Sequence, residues 1–248
     1  MSKRTSEAAR ARIAAQREAL RKQEQRKRIT MIVTIAVIVV IAAAFTVWSV
    51  RQGTSEEATG NVAPVTVEKD GTVVMAKAGV TKPVVDVFED FQCPACKQFE
   101  ETSGSTLKNL AAEGKAKVVY HPITIFTEDP TKSNSLRAAS AARCITDGRQ
   151  WLAFHDLLYK NQPSETVSGF SADELIKWGK QAGVTAPDFD TCVRQQRNVA
   201  AHQQFSSQTM TAQKLQGTPT LKIDGKELDS KVAFVPSSLR DAVENAGK

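Results

Sequence analysis

The sequence predicts an α/β domain of two lobes, carried behind a single N-terminal membrane-spanning helix, and three observations predict it. A β-branched apolar run (Val84, Val85, Val87, Phe88) breaks into Cys93-Pro94-Ala95-Cys96 and then into a helix-compatible segment. Far downstream, Gln216-Gly217-Thr218-Pro219-Thr220 leads into a second extended run, Leu221-Lys222-Ile223, and an Asp224-Gly225 hairpin turn. Between the two, roughly residues 133–216 carry four or five helical patterns, a helical insertion between early and late β elements.

The N-terminal part is set apart by charge. Residues 1–28 hold ten Lys/Arg against three Asp/Glu, Arg51 adds one positive charge, and residues 52–248 hold 22 Lys/Arg against 24 Asp/Glu. The net charge of +6 therefore sits in the tail. The nearly neutral remainder gives nucleic-acid binding no electrostatic support. Residues 29–50 contain no charged side chain; as a helix they reach about 33 Å, the thickness of a hydrocarbon core. Trp48 marks the outer interface, and the basic residues ahead of the span orient residues 1–28 to the cytoplasm and the C-terminal domain outside the cell membrane. A cleaved signal peptide is the alternative, but its apolar run would exceed the usual length of about 7–15 residues. The tail reads as a topology signal, with binding to anionic lipid or a cytoplasmic partner as the alternative. Residues 51–64, with Gly53, Gly60 and Pro64, read as a tether, and residues 65–248 as the folded domain.

Within that domain, Val65 and Val67 alternate, and Val73-Val74 follow Lys69-Asp70-Gly71, which predicts a hairpin. The strand at Val84–Phe88 comes next. Phe99, Leu107, Leu110 and Ala111 mark the helix after the cysteines, with a kink at Ser103-Gly104-Ser105 and a stop at Gly114. Lys117–Tyr120 reads as a buried strand ended by His121-Pro122. In the insertion, one helix spans Leu136 to Ile145 and a second is lined by Trp151, Phe154, Leu157 and Leu158 and closed by Pro163. A third opens on a Ser171–Glu174 capping box, a fourth follows Pro187 with Phe189, Cys192, Val193 and Gln196 on one face, and a polar fifth runs from Val199 to Leu215. A closing helix at Pro236–Ala246 turns Leu239 and Val243 inward.

Two cysteines three apart at the first turn of a helix share a face and can close a small disulfide ring. Cys93 would sit among the unpaired N–H groups of the helix start, where the dipole favours an anion and a thiol pKa falls to about 3.5–7.5. Pro94 suits the first helical position, where its missing N–H costs nothing. Cys96, one turn further in, would be the more buried, resolving thiol. Half a zinc site and a purely structural bridge are the competing readings; zinc requires a second pair of similar spacing, and Cys144 and Cys192 stand alone. With 93–96 paired locally, Cys144–Cys192 is the complementary disulfide, read as structural, with two free buried thiols or a redox relay as alternatives. His121, His155 and His202 read as surface or core histidines. Asp86 and Glu89 read as solvated side chains, with proton transfer as the alternative.

Cys-Pro-Ala-Cys after a strand, with Thr218-Pro219 leading into a late hairpin, resembles the thioredoxin superfamily, and the long insertion resembles its DsbA-like branch, over roughly residues 66–248. The resemblance implies a thioredoxin-like fold with an inserted helical lobe, a catalytic pair at Cys93 and Cys96, and a cis Pro219 facing it. Taken without the resemblance, a Thr-Pro bond is expected trans. The family further implies that Thr218 and Pro219 hold the substrate backbone, that reduced secreted or cell-wall proteins are the substrates, and that a membrane quinone-linked partner reoxidises the pair, with no cofactor or metal in the chain itself. Three positions depart from the pattern. Val87 stands where thioredoxin-like proteins often bury an acid, Ala95 where DsbA-like proteins often have histidine, and Gln92 where thioredoxin has tryptophan. Losing the imidazolium at position 95 removes one stabiliser of the thiolate. The expected function is an extracytoplasmic oxidant of secreted proteins. The alternatives are a membrane-tethered reductant or isomerase, as in cytochrome c maturation, and a non-catalytic thiol or copper-binding module.

Overall fold

A computed structural model describes residues 62–248. The tail at 1–28, the anchor at 29–50 and most of the tether lie outside the described residues. Among the described residues no helix is long and apolar enough to cross a membrane.

The strands β1 (Val65–Val67), β2 (Val73–Met75), β3 (Val84–Glu89), β4 (Lys117–Pro122), β5 (Thr220–Ile223) and β6 (Lys226–Glu227) form one sheet in the order β1-β2-β4-β3-β5-β6. β3 and β4 are parallel and every other pair is antiparallel. The parallel pair forces a crossover, supplied by α1 (Pro94–Phe99), a π turn (Glu100–Gly104) and α2 (Ser105–Glu113). Gly114 closes α2 at φ 77, a conformation a side chain would resist. Val85, Val87, Val118 and Tyr120 are fully buried, and Val85 faces Val118 while Val87 faces Tyr120. Each of the three valines contributes about 1.5–3 kcal/mol by leaving water.

Between β4 and β5 the chain builds the helical lobe: α3 (Thr131–Ala142), α4 (Gly148–Lys160), α5 (Ala172–Gln181), α6 (Phe189–Arg194) and α7 (Val199–Gln213). The Ser171 capping box is present with both reciprocal bonds. The chain ends in α8 (Ser230–Ala233) and α9 (Pro236–Ala246), the latter burying Leu239 and Val243.

Several sequence expectations move. β4 continues through His121-Pro122 because its parallel partner continues, Phe88 facing His121 and Glu89 facing Pro122. α3 starts at Thr131, where Asp129 Oδ1 accepts the Ser133 N–H at 3.1 Å and satisfies a helix-start donor. It also ends at Ala142, so Cys144 lies beyond the helix rather than on its face. α8 was not expected; Asp229 caps it by accepting the Lys231 N–H. At the other end, Ala63 is already buried in the core and Pro64 O accepts the Ala76 N–H, so the domain takes in the last residues of the expected tether.

Candidate active site

The site is assembled where β3 runs out. After Glu89 the chain turns through Asp90, whose carbonyl accepts the Cys93 N–H at 2.9 Å. Cys93 is the N-cap of α1, in extended geometry (φ −74, ψ 119), and Pro94 occupies the first helical turn. The Cys93 thiol lies 3.3 Å from Thr218 O, and the Thr218-Pro219 bond is cis, so the loop before β5 is brought against α1. Cys93 and Cys96 are free thiols and both are buried, Cys93 at 5 % exposure and Cys96 at 0 %. The disulfide among the described residues joins Cys144 to Cys192, with Cα atoms 6.1 Å apart.

The two thiols are electrostatically unequal. The Cys96 thiol donates toward Cys93, and that bond outweighs the cost of burial; the N–H groups of Cys96 and Ala95 add to it, and the Cys93 pKa comes down to about 6. Cys96 moves the other way. Burial, the hydrogen bond it gives to Cys93 and the negative charge there hold its pKa well above the ordinary thiol value. At neutral pH the site therefore holds one thiolate, on Cys93, and one thiol, on Cys96.

A pH prediction follows. The Cys93 pKa is depressed in the folded state, so its contribution to stability is present above the unfolded thiol pKa of about 8.5 and is lost as pH falls through about 6. Only the reduced protein has this thiol. The stability of reduced over oxidised protein should therefore rise with pH between those limits, and the far-ultraviolet absorbance of the thiolate should titrate with a midpoint near 6. A midpoint at the ordinary thiol value would contradict the geometry.

Sequence reasoning missed Asp90. It is fully buried, its Oδ1 accepts the Gln92 N–H and the Ser135 hydroxyl, and its Oδ2 accepts the Ile125 N–H at 2.9 Å. Burial dominates these bonds and raises its pKa to about 7. A buried acid thus stands three residues before Cys93, while Val87, six before, packs in the core. Gln162 was missed as well. Its side-chain amide donates to Phe91 O at 2.8 Å and to Cys93 O at 3.0 Å, while Gln92 donates back to Pro163 O at 3.1 Å. The segment after α4 thereby clamps the cysteine loop, whereas the sequence marked Pro163 only as a helix stop.

The acids nearest the motif are corrected. Glu89 is not solvated: it is fully buried and joined to His155 Nε2 at 2.8 Å. Burial works to discharge the imidazole, but Glu89 and Asp156 outweigh it and raise the His155 pKa to about 10. Asp86 is also held, by His121 Nε2 at 2.8 Å, and that ring stacks on Phe88. His202 is buried among Thr124, Ser206 and Arg143, and burial together with the Arg143 charge lowers its pKa to about 3. None of the three histidines makes a hydrogen bond to Cys93 or Cys96 among the described residues.

A family model described as Thioredoxin matches residues 76–244. A Rickettsia bellii protein named as a protein-disulfide oxidoreductase is 25% identical over 167 residues, covering 66% of this chain and 61% of that protein. The chain thus spans about three fifths of the length of that relative. The crystal structure of oxidised DsbA from Mycobacterium tuberculosis superposes with a TM-score of 0.59 at 26% identity, over 75% of this chain and 92% of that one. Oxidised BdbD from Bacillus subtilis superposes with a TM-score of 0.61 over 76% of this chain and 99% of that one, and at 18% identity it speaks for the fold alone.

Proposed function

The chain belongs to the thioredoxin superfamily, on its DsbA-like branch, and from that premise we propose that it is an extracytoplasmic thiol–disulfide oxidoreductase that oxidises secreted proteins through Cys93 and Cys96. In the oxidised enzyme a substrate thiolate attacks Cys93 Sγ; the Cys93–Cys96 bond breaks and Cys96 leaves with the electron pair and takes up a proton. A second substrate thiolate then attacks the substrate sulfur of the mixed disulfide. The substrate leaves oxidised, Cys93 leaves as a thiolate, and the enzyme has gained two electrons. Thr218 and Pro219 hold the substrate backbone beside the sulfur. The enzyme pair is reoxidised by a membrane quinone-linked partner, and residues 29–50 tether the domain on the outer side of the membrane.

The observation that supports this reading is the split between the two thiols. Cys93 is stabilised as a thiolate with a pKa near 6, and what stabilises the reduced form makes the disulfide the stronger oxidant. The reduction potential of the pair, equilibrated against glutathione, tests it. A value between about −120 and −180 mV is expected; a value near −270 mV would make the chain a reductant and reverse the proposal.

A further inference from the structure

The strand that delivers Cys93 also delivers a chemically different cluster. Glu89 at the end of β3, Glu100 at the start of the π turn and His155 in the middle of α4 bring one ligand atom each to within 4.8 Å of the others. None of them is a sulfur.

Two independent features point to a missing partner. Glu89 Oε2, Glu100 Oε1 and the hydroxyls of Tyr120 and Tyr159 are buried and find no hydrogen-bond partner among the described residues. Glu89, Tyr120 and Tyr159 are at most 3% exposed, and both tyrosine rings pack on the His155 ring, with centroids 5.2 and 5.0 Å away. Buried polar atoms are nearly always partnered, so four orphans about one imidazole call for a ligand. Second, Asp156 Oδ1 lies 3.0 Å from His155 Nδ1. A carboxylate on one ring nitrogen is how proteins orient the other toward a metal, and here that other nitrogen, Nε2, is turned to Glu89 Oε1 at 2.8 Å, one proposed ligand against the next.

We propose that Glu89, Glu100 and His155 bind a divalent cation of the zinc or manganese type. Two carboxylates and one imidazole form a borderline-hard donor set that suits these ions, and three protein ligands leave a position for water. The site ties the π turn, which continues the active-site helix, to the helical lobe through α4. Gly104 permits it: a Cβ there would collide with the Glu100 carboxylate, which folds back over the π turn.

The test uses the full chain with Cys93–Cys96 oxidised, so that no free thiol competes. After incubation with Zn²⁺ or Mn²⁺ and dialysis, about one ion per chain is expected by elemental analysis, with a higher melting temperature that a chelator reverses. Glu100→Gln and Gly104→Ala are each expected to weaken binding by about tenfold or more, the second by displacing Glu100 without altering a ligand. Wild-type protein that takes up neither ion overturns the proposal. So does a folded Glu100→Gln or Gly104→Ala protein that binds as tightly as wild type, since the metal would then sit elsewhere.

Discussion

A Cys93→Ser protein is expected to lose disulfide exchange to the uncatalysed background, a fall of at least about 10³-fold. Cys93 is the N-cap of α1, its sulfur is 3.3 Å from Thr218 O, and its pKa is near 6. The helix start and the Cys96 thiol favour a sulfur anion at that position, while the Thr218 carbonyl accepts from the thiol when it is protonated. Serine keeps the shape, but its hydroxyl is not ionised at neutral pH and cannot store the electron pair in a disulfide. Cys96→Ser should behave differently. Its Cys93 thiolate still attacks a disulfide substrate, but nothing behind it completes the exchange, so a mixed disulfide accumulates and survives non-reducing electrophoresis. Following oxidation of a dithiol peptide alongside that electrophoresis separates the two variants. Turnover by Cys93→Ser, or a trapped adduct on Cys96 in place of Cys93, would exchange the roles assigned here.

The roles of the two thiols were legible because their cause is local. Strand, Cys93-Pro94-Ala95-Cys96 and helix lie within one contiguous stretch, and a helix start acts on its own N-cap without help from the rest of the chain. The strands and the helix stop at Gly114 were legible for the same reason. What the sequence concealed is non-local. Asp90 looks like any acid in a turn; it is buried because Ser135 and the Ile125 N–H, 45 and 35 residues away, close over it. Glu89 reads as solvated until α4 places His155 against it, 66 residues on. Gln162 reaches Cys93 O across 69 residues, and a lone glutamine before a proline carries no periodic or spacing signal. The cis bond before Pro219 was likewise beyond reach of the local prior, which favours trans, and came only with the family resemblance.

Removing the second disulfide should lower stability without stopping the chemistry. Cys144 lies just past the end of α3 and Cys192 within α6, so the bridge closes 48 residues inside the helical lobe and spans α4 and α5. On the chain-entropy account a loop of that length contributes about 4 kcal/mol by restricting the unfolded chain, and measured bridges typically give about 2–4. For a domain of this size each kcal/mol is worth about 2–4 °C, so a Cys144→Ala/Cys192→Ala protein should melt roughly 10 °C lower. Asn198 adds to the loss. Its side-chain amide lies 3.4 and 3.5 Å from the two sulfurs and also donates to Ser140 O, so it knits α7 to the bridge. Exchange by Cys93 and Cys96 should persist at temperatures where the variant is folded, because Cys93 bonds to Asp90, Cys96, Lys97, Gln162 and Thr218 and, among the described residues, to neither cysteine of this bridge. A variant that melts with wild type would show that the unfolded lobe is already compact and gains nothing from closure. A stable variant with lost exchange would instead make the bridge a participant in electron transfer, the relay alternative to the structural reading.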